Sequence, residues 1–231
     1  MEYGISIIIP ALNEEANLKK LLPYLRENNA GYVKEIIVVD GGSRDDTVQT
    51  ARTLGAKCVD SPKGRSLQMN SGATSASTGI FYFLHADTFP PRHFDADIIQ
   101  LIRKGIDSGC FTLRFDDAHP LLSFYSYFTR FSSTLLRFGD QSLFVKKELF
   151  EKIGGFDESL IVMEDQKIVR ECKKQGTFKL IQKPVITSAA KYHKNGVIKL
   201  QFVFTLIWLL YYLGVSQARL KTIYNRMIKV D

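Results

Sequence analysis

Ile5-Ser-Ile-Ile-Ile-Pro10-Ala-Leu-Asn13-Glu14-Glu15 is an apolar run that passes without alternation into a polar, acid-bearing turn. The same grammar returns at Ile36-Ile-Val-Val-Asp40-Gly41-Gly42-Ser43 and at Phe81-Tyr-Phe-Leu-His85-Ala-Asp87. Continuous Ile, Val and Phe runs of this length predict parallel strands covered on both faces. In open α/β sheets the ligand crevice lies beyond the carboxyl ends of the strands. The pattern therefore places Asn13, Glu14, Asp40, Ser43, His85 and Asp87 along one edge, within reach of a shared ligand.

Between these runs the spacing predicts helices over 14–27, 45–54 and 63–77, and a short strand over 56–59. Asn13 suits the N-cap of the first helix, and Ser43-Arg-Asp-Asp46 has the form of a capping box for the second. Strands alternating with helices indicate βαβ units, hence an α/β fold with a mostly parallel central sheet flanked by helices. After Pro90-Pro91 the pattern is less regular. Helices are expected over 94–104, 147–153 and 164–175, and strands over 110–115, 142–145, 178–181 and 185–187. The aromatic stretch 121–138 also reads as helical, either packed on the sheet or forming a wall of a binding site. Helices over 197–213 and 217–228 close the chain. With no repeat or linker, the organisation is one domain over 1–195 with a C-terminal helical tail over 196–231, packed on it, on a membrane or on a partner.

Composition narrows the function classes. Hydrophobic content of 45% and charged content of 24% are those of a globular chain. The net charge of +7 is spread over scattered Lys and Arg, which argues against nucleic acid and favours phosphate-bearing small molecules or anionic lipid surfaces. Cys58, Cys110 and Cys172 lack metal-ligand spacing and suit a reducing cytosol. No cleavable leader is visible, so a cytoplasmic location is expected, with the inner face of the cytoplasmic membrane as its refinement. Residues 202–213 are apolar all round and contain Trp208 and Tyr211-Tyr212. They are fewer than the roughly 20 a transmembrane helix needs. A buried helix, a homodimer contact or an interfacial membrane helix all fit, and Lys194, Lys199, Arg219 and Lys221 flank the stretch.

Neither Gly-x-Gly-x-x-Gly nor Gly-x4-Gly-Lys-Ser/Thr follows the first strand. Pro10-Ala-Leu-Asn13-Glu14 instead offers side-chain acceptors, which suit the donor groups of a nucleobase and ribose. Asp40 can act in the same way, and Gly41-Gly42 allows close backbone approach. Asp87 differs, because a carboxylate beside a diphosphate is repulsive. Like charges ~4 Å apart cost on the order of 4 kcal/mol at an effective dielectric near 20. A divalent cation between them resolves this and stabilises a departing nucleoside diphosphate.

Taken in order, Ser-Ile-Ile-Ile-Pro-Ala-Leu-Asn-Glu-Glu, Val-Val-Asp-Gly-Gly-Ser-x-Asp-Asp-Thr, His85-Ala-Asp87 and Met163-Glu164-Asp165 resemble glycosyltransferase family 2. Gly64-Arg65-Ser-Leu-Gln68-Met69-Asn70, Gly139-Asp140-Gln141 and Tyr211-Tyr-Leu-Gly-Val-Ser216 are similar to a bacterial subgroup with a His-Ala-Asp metal triplet. The resemblance implies the GT-A fold of nucleotide-sugar transferases and an inverting transfer from a nucleotide-diphosphate sugar, uridine- or guanosine-linked, to an acceptor hydroxyl. It assigns Pro10, Asn13, Glu14, Asp40 and Gly42 to the nucleoside half of the donor and Arg65 to its phosphates. Asp140 and Gln141 fall on the acceptor side, the acceptor being a lipid, a saccharide or a small molecule. Asp87 becomes the ligand of Mn²⁺ or Mg²⁺, with His193 as a second ligand, and Asp165 the catalytic base. The family's metal motif carries Asp where this chain has His85. Two rivals remain: a non-catalytic nucleotide-sugar binding module and a nucleotidyltransferase, whose usual glycine-rich basic loop is lacking. Read without the resemblance, Asn13 is an N-cap, Asp40 a turn residue, Arg65 and His193 surface residues, and Glu164-Asp165 first-turn acids of a helix.

Overall fold

Strand β1 (Ile5–Ala11) is buried on both faces, and its period-2 alternation divides the molecule into two core layers. The computed structural model describes residues 3–131 and 141–228. Ile5, Ile7 and Ile9 face one layer with Leu18, Leu21, Leu22 and Leu25 of helix α1 (Glu15–Glu27), while Ile8 faces the other. Strand β2 (Val33–Asp40) splits likewise, Val38 on the first side and Ile37 and Val39 on the second. Helix α2 (Thr47–Thr53), strand β3 (Lys57–Asp60), helix α3 (Arg65–Ser75) and strand β4 (Ile80–Phe83) follow. These four strands are all parallel, in the order β3-β2-β1-β4, so their carboxyl ends share one edge.

The second half of the sheet is mixed. It contains β5 (Thr88–Phe89), α4 (Phe94–Arg103), β6 (Ser108–Phe115), α5 (Pro120–Tyr127) with a 3₁₀ turn at Phe128–Arg130, and β7 (Leu143–Lys146). After it come α6 (Lys147–Lys152), α7 (Glu164–Gln175), β8 (Phe178–Thr187), α8 (Ala190–Asn195), α9 (Val197–Tyr212) and α10 (Gln217–Met227). β7 enters antiparallel between β4 and β6, β8 runs parallel to β6, and β5 closes the eight-stranded sheet antiparallel to β8.

Helix α3 and α7 cover the Ile8 layer, whereas α1, α4 and the closing helices cover the Ile7 layer. Leu200, Val203 and Ile207 of α9 and Leu220 of α10 are buried in that same Ile7 layer, so the tail completes the core. No helix among the described residues is long and apolar enough to cross a membrane.

Several local expectations need correction. Asn13 is not the N-cap of α1. Glu14 holds that position, and Asn13 takes a left-handed φ of 56°. The capping box at 43–46 does not form, because the Ser43 hydroxyl turns back to Asp40 and Asp45 instead receives the Thr47 N–H and hydroxyl. The strands expected at 178–181 and 185–187 are one strand. Its register against β6 jumps from Phe111–Ile181 to Thr112–Pro184, so Gln182 and Lys183 bulge out. Their side chains are used locally, Gln182 donating to the Arg130 carbonyl and Lys183 to Asp97. The aromatic helix ends at Tyr127, and the remainder of the expected helix over 132–138 lies outside the described residues. β5 and α8 were not anticipated, each being too short to carry a periodic signal.

Gly72 sets how closely α3 approaches the sheet. A Cβ there would lie 2.4 Å from Ile8 Cγ2 and 2.9 Å from Val39 Cγ2. Both methyls stand on fixed strands, so the helix must move. Gly72→Ala is expected to destabilise by ~1–3 kcal/mol through overpacking, read as a lower urea midpoint with unchanged slope.

Asp107 ties three strands at the opposite end of the sheet. It accepts from Lys146 Nζ at 2.9 Å and from the Thr177 N–H and hydroxyl at 3.0 and 2.8 Å. Burial pushes its carboxyl up, but the Thr177 and Lys146 donors outweigh that and hold it at about 2. Because the folded value is depressed, its stabilisation is complete above the unfolded value of 3.8 and is lost as pH falls toward about 2. Asp107→Asn should flatten the acid limb of the stability profile over that window, measured by urea unfolding at stepped pH.

Candidate active site

The first two strand ends are stitched to each other by their own polar side chains. The Asn13 N–H donates to Ser43 Oγ at 2.9 Å, and Asn13 Oδ1 accepts the Arg44 N–H at 2.8 Å. The Glu14 N–H donates to Thr47 Oγ1 at 2.8 Å, which satisfies a main-chain donor at the start of α1 without a side-chain cap. Asp40 is buried and closes its own turn, accepting the Gly42 and Ser43 N–H groups at 3.0 Å each and the Ser43 hydroxyl. Gly42 holds a φ of 91°, which an L side chain adopts only with strain. Pro10 falls past the last β1–β4 pair, Ile8–Phe83, on the side of the strand where Ile8 already receives the Leu84 N–H. Its missing N–H therefore removes no ladder bond.

Below this turn lies Gln68 of α3. Its buried amide nitrogen donates to the carbonyls of Ala11 and Val39, each at 2.8 Å. The only sequence signal for it is its place in the Gly64–Asn70 block.

Arg65, the first residue of α3, connects the first strand end to α7. Its guanidinium stands 3.7 Å from Glu164 Oε1, while its side chain is half exposed toward the crevice edge. Glu164 is almost wholly buried, and desolvation raises its carboxyl pKa against the pull of Arg65. Glu14 shows the same opposition. Burial raises its carboxyl, and Asn17 Nδ2 at 2.6 Å and Arg65 act to lower it. One cation thus lies within electrostatic reach of acids from the first strand end and from the first turn of α7.

The third strand end meets α7 directly. His85 and Asp165 line one small cavity with Met69, Phe83, Ser142 and Leu143. His85 is buried and Asp87 partly so, in the turn between β4 and β5, where Thr88 Oγ1 donates to Asp87 Oδ1 at 3.2 Å.

As for a cation, no three His, Cys, Asp or Glu side chains cluster among the described residues. The residues fit a Mg²⁺- or Mn²⁺-type ion held by a single protein carboxylate, Asp87, with phosphate and water oxygens supplying the rest. They do not fit an all-protein cage. His193, on α8, has its Nε2 at 2.8 Å from Asp117 Oδ2 and is well exposed. Gln141, expected on the acceptor side, is 1% exposed, and its Nε2 donates to the Phe111 carbonyl at 3.2 Å. Asp140 lies outside the described residues.

Comparison with known proteins places this geometry in a family. The pattern of Glycosyl transferase family 2 matches residues 6–154, more than half of the chain. Succinoglycan biosynthesis protein ExoA of Rhizobium meliloti is 25% identical over 192 residues, covering 74% of this chain and 58% of that protein. Glucosyl-3-phosphoglycerate synthase of Mycobacterium tuberculosis is 35% identical over 98 residues, covering 38% of this chain and 30% of the synthase. The chain thus spans less than two thirds of the length of these curated relatives. Among solved structures, the mannosyltransferase PcManGT of Pyrobaculum calidifontis, in complex with GDP-Man and Mn²⁺, superposes with a TM-score of 0.69 at 19% identity, over 90% of this chain and 63% of that one. The M. tuberculosis synthase, in complex with Mn²⁺, uridine diphosphate and glucosyl-3-phosphoglycerate, superposes with a TM-score of 0.57 at 21% identity, over 80% and 70%. The fold shared with these enzymes is GT-A, and the chain belongs to glycosyl transferase family 2.

Proposed function

We propose that the protein is an inverting glycosyltransferase that moves a sugar from a nucleoside-diphosphate donor to an acceptor hydroxyl. The observation that carries this reading is the convergence at one sheet edge. Arg65 lies within reach of both Glu14 and Glu164, and His85 shares a cavity with Asp165. The carboxyl ends of β1, β2 and β4 and the first turn of α7 therefore border one crevice, as nucleotide binding beside a proton acceptor requires.

Asn13, Glu14 and the Asp40–Gly42 turn receive the nucleobase and ribose, with Pro10 fixing the strand exit. Arg65 exchanges its half-exposed contact with Glu164 for the donor phosphates. Asp87 would hold a Mn²⁺ or Mg²⁺ ion, which when bound neutralises charge on the leaving diphosphate. His193, the expected second ligand, is held at Nε2 by Asp117 and would offer its other ring nitrogen. Asp165 takes the proton of the acceptor hydroxyl as that oxygen attacks the anomeric carbon on the face opposite the diphosphate. Glu164 is turned inward and serves as the buried partner of Arg65.

A second reading, a binding module without turnover, is favoured by His85 in the place of an acid. Turnover separates the two. Asp165→Asn should retain Mn²⁺-supported binding of UDP or GDP in calorimetry. Its hydrolysis or transfer of the matching nucleotide-sugar should fall by ~10²–10⁴-fold. Wild-type turnover in that variant would remove Asp165 from the base role. Asp87→Ala should erase the increment in nucleoside-diphosphate affinity that Mn²⁺ provides while leaving the metal-free affinity in place. An unchanged increment would relocate the cation.

A further inference from the structure

Helix α9 is apolar on its buried face and also on its outer one. Leu200, Val203 and Ile207 point into the core, whereas Ile198, Phe202, Leu209, Tyr212 and, just past the helix, Leu213 recur at helical spacing on the opposite side. Ile198, Phe202 and Leu213 are 73%, 61% and 70% exposed. Such a stripe, several large side chains long, is more than the scattered apolar exposure ordinary surfaces carry. Its aromatic members gather at the carboxyl end of the helix, where Trp208 and Tyr211 each pack on Tyr212 at 5.0 and 5.3 Å.

The charge carried by the closing segment is of one sign. Between Glu171 and Asp231 the sequence has eleven Lys and Arg and no carboxylate side chain. Lys199 on α9 and Arg219, Lys221 and Arg226 on α10 are exposed. The net charge of the whole chain is only +7, so its positive field is concentrated in this last quarter.

We propose that the outer face of α9, with the basic residues flanking it, docks on an anionic lipid surface and lies in the plane of the headgroups. Sixteen residues give a helix ~24 Å long, shorter than the ~30 Å hydrocarbon core, and no described helix can cross it. An apolar stripe bordered by cations is the pattern of interfacial helices. Each Lys or Arg near an anionic bilayer adds attraction, and aromatic side chains favour the headgroup level. A second copy of the chain is the poorer occupant. A two-fold contact would set this face against itself, with cations meeting cations and no carboxylate in the segment to pair them.

The protein reports its own docking, because Trp208 is its single tryptophan. The full chain is mixed with phosphatidylglycerol–phosphatidylcholine vesicles or with phosphatidylcholine alone, and followed by co-sedimentation and Trp208 emission. Binding with a blue shift on the anionic vesicles, weaker binding on phosphatidylcholine and weakening by salt are expected. Phe202→Glu combined with Leu209→Glu should lower vesicle affinity by about tenfold or more, with an unchanged melting temperature. Lys199→Glu combined with Lys221→Glu, both exposed, should lower it on anionic vesicles alone. Absence of vesicle binding, binding indifferent to both pairs of substitutions, or a wild-type dimer that the Phe202/Leu209 variant dissolves would overturn the proposal.

Discussion

One side-chain amide sits under the crevice, and the rest of the site is stacked on it. A carbonyl oxygen carries two lone pairs, so one at the end of a parallel ladder can take a side-chain donor beside its backbone one. Gln68 Nε2 donates to the Ala11 carbonyl, which also accepts the Gly41 N–H at 2.9 Å, and to the Val39 carbonyl. That fixes the ends of β1 and β2 at one level and in one spacing. Gly41 lies against the same amide, with a notional Cβ only 3.0 Å from Nε2, so the turn that follows β2 is seated on Gln68 as well. Gly72, one helical turn on, is what lets α3 come close enough for the amide to reach. Asn13, Glu14 and Asp40 hold their positions because helix, glycine and amide hold the backbone beneath them.

This dependence explains why the strand ends were legible in the sequence and their wiring was not. Uninterrupted Ile and Val runs are a one-dimensional signal, and β1, β2 and β4 appear where the runs predict. The family resemblance rested on the acids that end those runs, and the fold agrees. The cross-links connect residues some thirty positions apart, Asn13 with Ser43 and Arg44, and Glu14 with Thr47. Periodicity does not encode such pairs, so Asn13 read as a cap and Ser43 as the start of a capping box. The burial of Gln141 was illegible for another reason: a polar residue two positions after a glycine carries no sequence sign that its amide will donate to the Phe111 carbonyl, thirty positions earlier. The two-residue bulge in β8 was equally invisible, since Pro184 looks like a break between two strands when it is a slip within one.

On the proposed reading, an acidic crevice has to accept an anionic donor. Ahead of Cys172, carboxylates outnumber Lys and Arg, and Glu14, Asp40, Asp45, Asp87, Glu164 and Asp165 all belong to the strand ends or to the first turn of α7. A diphosphate brought there meets repulsion that increases as water is excluded. Three features lower it. Asp40 is consumed by its own turn, with two N–H groups and a hydroxyl already directed at it. Burial raises the carboxyl pKa of Glu14 and of Glu164, so each holds its negative charge less readily than an exposed carboxyl does. His85 stands where the resemblance expects an acid, and it is not anionic. On the proposed reading, a cation at Asp87 would therefore draw fewer ligands from the protein and more from the donor phosphates.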